Sequence, residues 1–197
     1  MALFFWIASL TQAHAYSDYD KYFVNYWGTY EELALRNSPY SNEVCQKASK
    51  LAQKILKLQQ LKDKKGRPLY ELKFSGVFDL FETCLLICAN ENRIFTRYHI
   101  AAVLIQESKL DRYAWNKRDG GKGIAQVMKR YWKEELPWYT NEYDKAQSIK
   151  ACVAVLNIFH DEHRQVWQTI RRYNGKAPSS LVYVAKVNKI YSTLVTV

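Results

Sequence analysis

An all-helical fold is what this sequence predicts, and three observations carry the prediction. Apolar residues recur at three- and four-residue intervals through most of the chain, the period of one helix face. No run alternates apolar and polar residues for long enough to build a ladder of strands. The periodic segments are separated by glycine, proline and asparagine, residues that stop helices.

Taken in order, residues 17–36 read as an aromatic-rich helix. Residues 42–62 form the next, with Val44, Ala48, Leu51, Ile55 and Leu58 on one face. The charged run 62–68 holds Gly66 and Pro68 and reads as a turn. Residues 75–89 are strongly apolar, with Val77, Leu80, Phe81, Cys84, Leu85 and Cys88, and read as the central buried helix. Thr96 is placed to cap a helix that ends in Glu107. Residues 144–160 form another, with Ile149, Cys152, Val153, Leu156 and Phe159 inward. A shorter one holds Trp167 and Ile170 and stops at Asn174-Gly175. Pro178-Ser179-Ser180 opens the last helix.

Hydrophobic residues at 48% and charged residues at 24% match a folded core and argue against disorder. The first fifteen residues read as an export signal. Residues 3–10 are a short apolar core, and Ala13-His14-Ala15 has the small-x-small pattern that signal peptidase prefers. No Lys or Arg precedes that core, a departure from the usual signal; an upstream start or a buried N-terminal helix are the alternatives. Cleavage after Ala15 divides the chain into a signal peptide (1–15), an N-terminal helical region (16–90) and a motif-bearing domain (91–197). The product is then expected in the periplasm or outside the cell, without stable membrane insertion.

Net charge is +10 and unevenly spread. Residues 16–90 carry 11 Lys/Arg against 9 Asp/Glu, whereas residues 91–197 carry 18 against 10. A basic field attracts polyanions, which include nucleic acid and the anionic bacterial wall. Cys45, Cys84, Cys88 and Cys152 are an even number. Pairing of Cys84 or Cys88 with Cys45 or Cys152 and four buried thiols are both open. No C-x-x-C pair marks a zinc site. His160 and His163 have no evident third ligand and read as a solvated helix end. No metal and no cofactor is expected.

The chemistry concentrates in one helix. Ile100, Val103, Leu104 and Glu107 follow the i, i+3, i+4, i+7 rule and share a face. Three are hydrophobes and the fourth is a carboxylate, whose ionised form is poorly solvated on such a stripe. A glutamate so placed becomes a proton donor near neutral pH. A long irregular connection follows, holding Gly120-Gly121-Lys122-Gly123-Ile124-Ala125-Gln126. Tyr173-Asn174 comes later.

Glu-Ser, then Gly-Ile-Ala-Gln, then Tyr-Asn, in that order, resembles the soluble lytic transglycosylase family and its goose-type lysozyme relatives. The likeness spans about residues 95–197. It implies a lysozyme-like helical domain in which the glycine loop folds over the cleft, sometimes as a small hairpin. It implies peptidoglycan as substrate and Glu107 as the catalytic residue. In that family the glutamate protonates the oxygen between N-acetylmuramic acid and N-acetylglucosamine. It then takes the proton of the muramyl C6 hydroxyl as a 1,6-anhydro bond closes. Ser108 matches the serine that holds the carboxyl in place, and Gly123 and Gln126 match the loop element whose amide meets sugar. Tyr173 and Asn174 match the Tyr-Asn pair, with Tyr173 orienting the glutamate.

The chain also departs from the relatives. Met128 stands where goose-type lysozymes carry an aspartate, which weakens a hydrolytic reading; Asp119, in the glycine loop, is the candidate second carboxylate. Trp115, Trp132, Trp138, Trp167 and Tyr113 default to core packing. An inert wall-binding, secretion or virion component and a nucleic-acid binder are the competing classes. The intact Glu107 argues against the first. The export signal and the lack of a recognition motif argue against the second.

Overall fold

The structure is a computed structural model that describes residues 39–175 and 177–197. The expected signal peptide and the helix at 17–36 lie outside the described residues. The chain divides into two compact units, residues 1–46 and 47–197, and the account below concerns the second.

The described residues are all-helical, as expected. Helix α1 (Asn42–Gln60) crosses into the second unit and buries Ala48, Leu51, Ile55 and Leu58, the face the periodicity marks. Helices α2 (Val77–Asn90), α3 (Arg97–Ser108), α4 (Lys145–His163), α5 (Val166–Tyr173) and α6 (Ser179–Thr196) follow. Helix α3 packs on α6 and α2, α4 on α2 and α5, and α5 on α6. Lys54 of α1 donates to the carbonyls of Val195 (3.2 Å) and Val197 (2.5 Å), tying down the end of α6.

The centre is α3, not the expected 75–89 helix. Every residue from His99 to Ile105 is buried, so α3 has no polar face there. Helix α2 leaves Phe78 exposed and Val77, Phe81 and Leu85 half-buried. Its apolar run misled because hydrophobic count alone does not say how many neighbours enclose a helix. Helix α3 is enclosed instead through an aromatic cluster. His99 stacks on Tyr191 at 4.3 Å and lies 5.6 Å from Trp167, joining α3, α5 and α6.

Caps explain the boundaries. Asp144 precedes α4 and accepts from Gln147 N at 2.8 Å, a side-chain N-cap. Thr96 holds the cap position of α3, but its hydroxyl pairs with His99 Nδ1 at 3.0 Å rather than with the backbone. Lys145, buried at the start of α4, donates to Asp79 Oδ1 at 2.5 Å and to Glu82. That ion pair pins α4 to α2. All four cysteines are free and buried, which closes the disulfide alternative.

Candidate active site

Glu107 sits in the last turn of α3, and its helix stops abruptly beyond it. Lys109 and Leu110 both take left-handed backbone, φ 62° and 67°. Neither is glycine, so this turn carries strain that the surrounding packing must hold. It sends the chain into a connection of which only Lys129–Tyr131, a 3-10 turn, is helical before α4.

The Glu107 residue is half-buried, with its carboxyl lodged in the interior. Tyr183, on the inward stripe of α6, donates its hydroxyl to Glu107 Oε1 at 2.5 Å. Three forces act on the carboxyl. Burial raises its pKa most; the Tyr183 hydrogen bond and the nearby Lys109 ammonium lower it. Burial wins, and the group is pushed up to about 7. Burial and the carboxylate push the Tyr183 hydroxyl well above its ordinary range, so it stays a donor.

The glycine connection is wired to this helix. Ser108 donates to Ile124 O at 2.7 Å and to Leu104 O at 3.2 Å. Tyr173 donates to Ala125 O at 2.8 Å. These bonds correct two expected roles: neither hydroxyl holds the Glu107 carboxyl. Ser108 and Tyr173 clamp the Ile124-Ala125 backbone beside it, and Tyr183 makes the bond that Tyr173 was expected to make. Tyr173 remains within electrostatic reach of Glu107, as does the buried Cys152 thiol, itself pushed up to about 12 by burial.

The loop is hairpin-like, with one antiparallel bridge between Trp115 and Lys122 and bonds from Asn116 N to Gly121 O and Gly123 N to Ala114 O. Gly123 has φ 74°, and a Cβ there would overlap the backbone of Glu142. That close approach gives Gly123 a packing role in the loop. Gln126, at φ 54°, gives its amide nitrogen to Gly123 O (2.8 Å) and Ala114 O (3.3 Å), so those donors brace the loop. Asp119 lies on the exposed tip, held by Asn116 Nδ2 (2.9 Å) and Arg118 Nε (3.1 Å). Asn174 is the exposed cap residue of α5.

The remaining candidates fall outside this cluster. Trp132 packs at 5.4 Å on Phe159, Trp138 lies under Lys150, and Trp167 is in the His99 cluster. Tyr113 and Trp115 are exposed instead. The helix end that carries His160 and His163 is exposed at Asp161, Glu162 and Arg164, although the ring atoms His160 Nδ1 and His163 Nε2 are themselves buried without hydrogen-bond partners. No group of three or more metal-binding side chains occurs among the described residues.

Tyr183 is the residue that sequence reading missed. It stands 76 positions from Glu107 and looks like any aromatic on an apolar stripe. The available signal was its polar tip on the stripe of Ser180, Val187, Ile190 and Leu194, where a buried hydroxyl needs a partner.

A buried acid, held by the Tyr183 hydroxyl, lies where the helical unit meets the glycine loop. Residues 86–187, just over half the chain, match the family model of the transglycosylase SLT domain, and the chain belongs to that family. Its members are lytic transglycosylases that act on peptidoglycan. No curated protein and no solved structure matches the chain.

Proposed function

We propose that this protein is a lytic transglycosylase that cleaves the N-acetylmuramic acid–N-acetylglucosamine bond of peptidoglycan with Glu107 as sole acid and base. The observation that supports it is the Glu107 carboxyl held near pKa 7 under the Tyr183 hydroxyl. A carboxyl in that range carries a proton to donate and is basic enough to take one back.

Glu107 gives its proton to the bridging oxygen as the muramyl C1–O bond breaks, and the departing sugar keeps that proton as a hydroxyl. The carboxylate left behind is stabilised by Tyr183 and by Lys109. The muramyl C6 hydroxyl then bonds to C1, and its proton returns to Glu107. The tethered hydroxyl replaces water through its high effective concentration. The Ser108 and Tyr173 clamps fix the loop that carries Gly123 and Gln126, and Asn174 ends the helix behind it. A second carboxylate is not required, and Asp119 is occupied by its own loop. The export signal at 1–15 delivers the enzyme to the wall.

Digestion of purified sacculi in oxygen-18 water tests the reaction. Soluble muropeptides with anhydro ends and no label are expected. Labelled reducing ends would replace this reading with hydrolysis.

A further inference from the structure

The loop that follows Glu107 carries an unusual surface. Residues 109–133 hold eight Lys/Arg and two Asp/Glu. Both acids are engaged within the loop: Asp111 Oδ1 accepts Tyr113 N at 2.8 Å, and Asp119 is held by Asn116 and Arg118. Three rings project from the same stretch, Tyr113 (68% exposed), Trp115 (56%) and Tyr131 (61%). Each has a cation over it: Arg112 at 5.1 Å, Lys117 at 5.5 Å and Arg130 at 4.8 Å. Arg130 also donates to Asp119 O at 3.0 Å, which ties the 3-10 turn to the hairpin tip. The sequence turns acidic at Glu134 and Glu135, so the basic stretch ends there.

Exposed rings with one face under a cation are poor candidates for a missing core. They suit a partner that is part flat and part anionic. Guanidinium and ammonium groups pair with carboxylates and phosphates, and in peptidoglycan the free carboxylates sit on the peptide stems. Resting on the functional reading above, we infer that this patch binds the carboxylates of the peptide stems that branch from the glycan strand. The enzyme thereby prefers wall whose stem carboxylates are free over wall in which they are amidated. The loop begins two residues after Glu107, and its backbone is fastened to α3 and α5. Stem capture at the loop therefore holds the strand on the segment that directly follows Glu107 in the chain.

Binding separates this inference from turnover. The full-length Glu107→Gln protein is pelleted with native sacculi and with sacculi whose carboxyls have been amidated. Native wall is expected to bind roughly tenfold more tightly at low ionic strength, with the difference shrinking at high salt. Adding Lys117→Gln and Arg118→Gln is expected to bring the two affinities together. Equal binding of the two walls by the starting protein, or a difference that survives both salt and the added substitutions, overturns the proposal. So does tighter binding of duplex DNA with no effect of amidation, which would make the patch a site for another polyanion. Turnover of native sacculi by the unsubstituted enzyme is scored separately. Its absence would sink the functional reading and leave the binding comparison readable.

Discussion

Glu107 carries a linkage between pH, stability and activity whose sign can be worked out. Its folded pKa of about 7 lies above the ordinary carboxyl range. Between roughly pH 4.3 and 7 the folded state therefore holds more protons than the unfolded chain, and stability falls as pH rises through that window. The cost at and above pH 7 is on the order of 3–4 kcal/mol. Glu107→Gln is thus expected to abolish muropeptide release while raising the melting temperature at pH 8, with little change at pH 4. An unchanged or lower melting temperature at pH 8 would mean the carboxyl is not desolvated. Tyr183→Phe removes a donor that favours the charged form. The alkaline limb of kcat/KM, expected near pH 7 in the native enzyme, should move upward in that variant. A limb that stays in place would make Tyr183 a packing residue only. The periodicity of α3 made Glu107 legible because both sides of the pattern are local. Tyr183 was illegible because its partner is fixed by how α6 lies on α3, which no spacing within α6 encodes.

At the scale of elements, the glycine loop is held by backbone geometry more than by side-chain contacts. Gly123→Ala forces a Cβ into the Glu142 backbone at φ 74°, and backbone cannot yield as a side chain can. A loss of about 3 kcal/mol or more in stability is expected by denaturant unfolding. Tolerance of alanine there would show that the loop packs differently. Ser108→Ala removes the bond to Ile124 O, leaves a buried carbonyl short of a donor and is expected to cost about 1–2 kcal/mol. The described helices were readable within a few residues, because apolar spacing, the Asn174-Gly175 stop and Pro178 as an opener are local signals. Their rank in the core was not. Helix α3 is enclosed by α2 and by α6, which is distant in sequence, whereas the richer α2 keeps an open face.

The whole molecule has a redox-indifferent core. Four buried free thiols predict that four react with a thiol reagent in denaturant without added reductant. Two would mean a disulfide that the fold described here lacks. The basic excess in the family domain and its loop predicts wall binding that weakens as salt rises. Composition revealed that charge, but only the structure separated the exposed rings of the loop from the tryptophans that pack. The proposed function rests on one acid, so the most direct measurement is the titration of the Glu107 side-chain carboxyl carbon by NMR. A midpoint near pH 7 that shifts upward in Tyr183→Phe is what the account predicts. A midpoint near 4.3, the value of a hydrated glutamate, would contradict it.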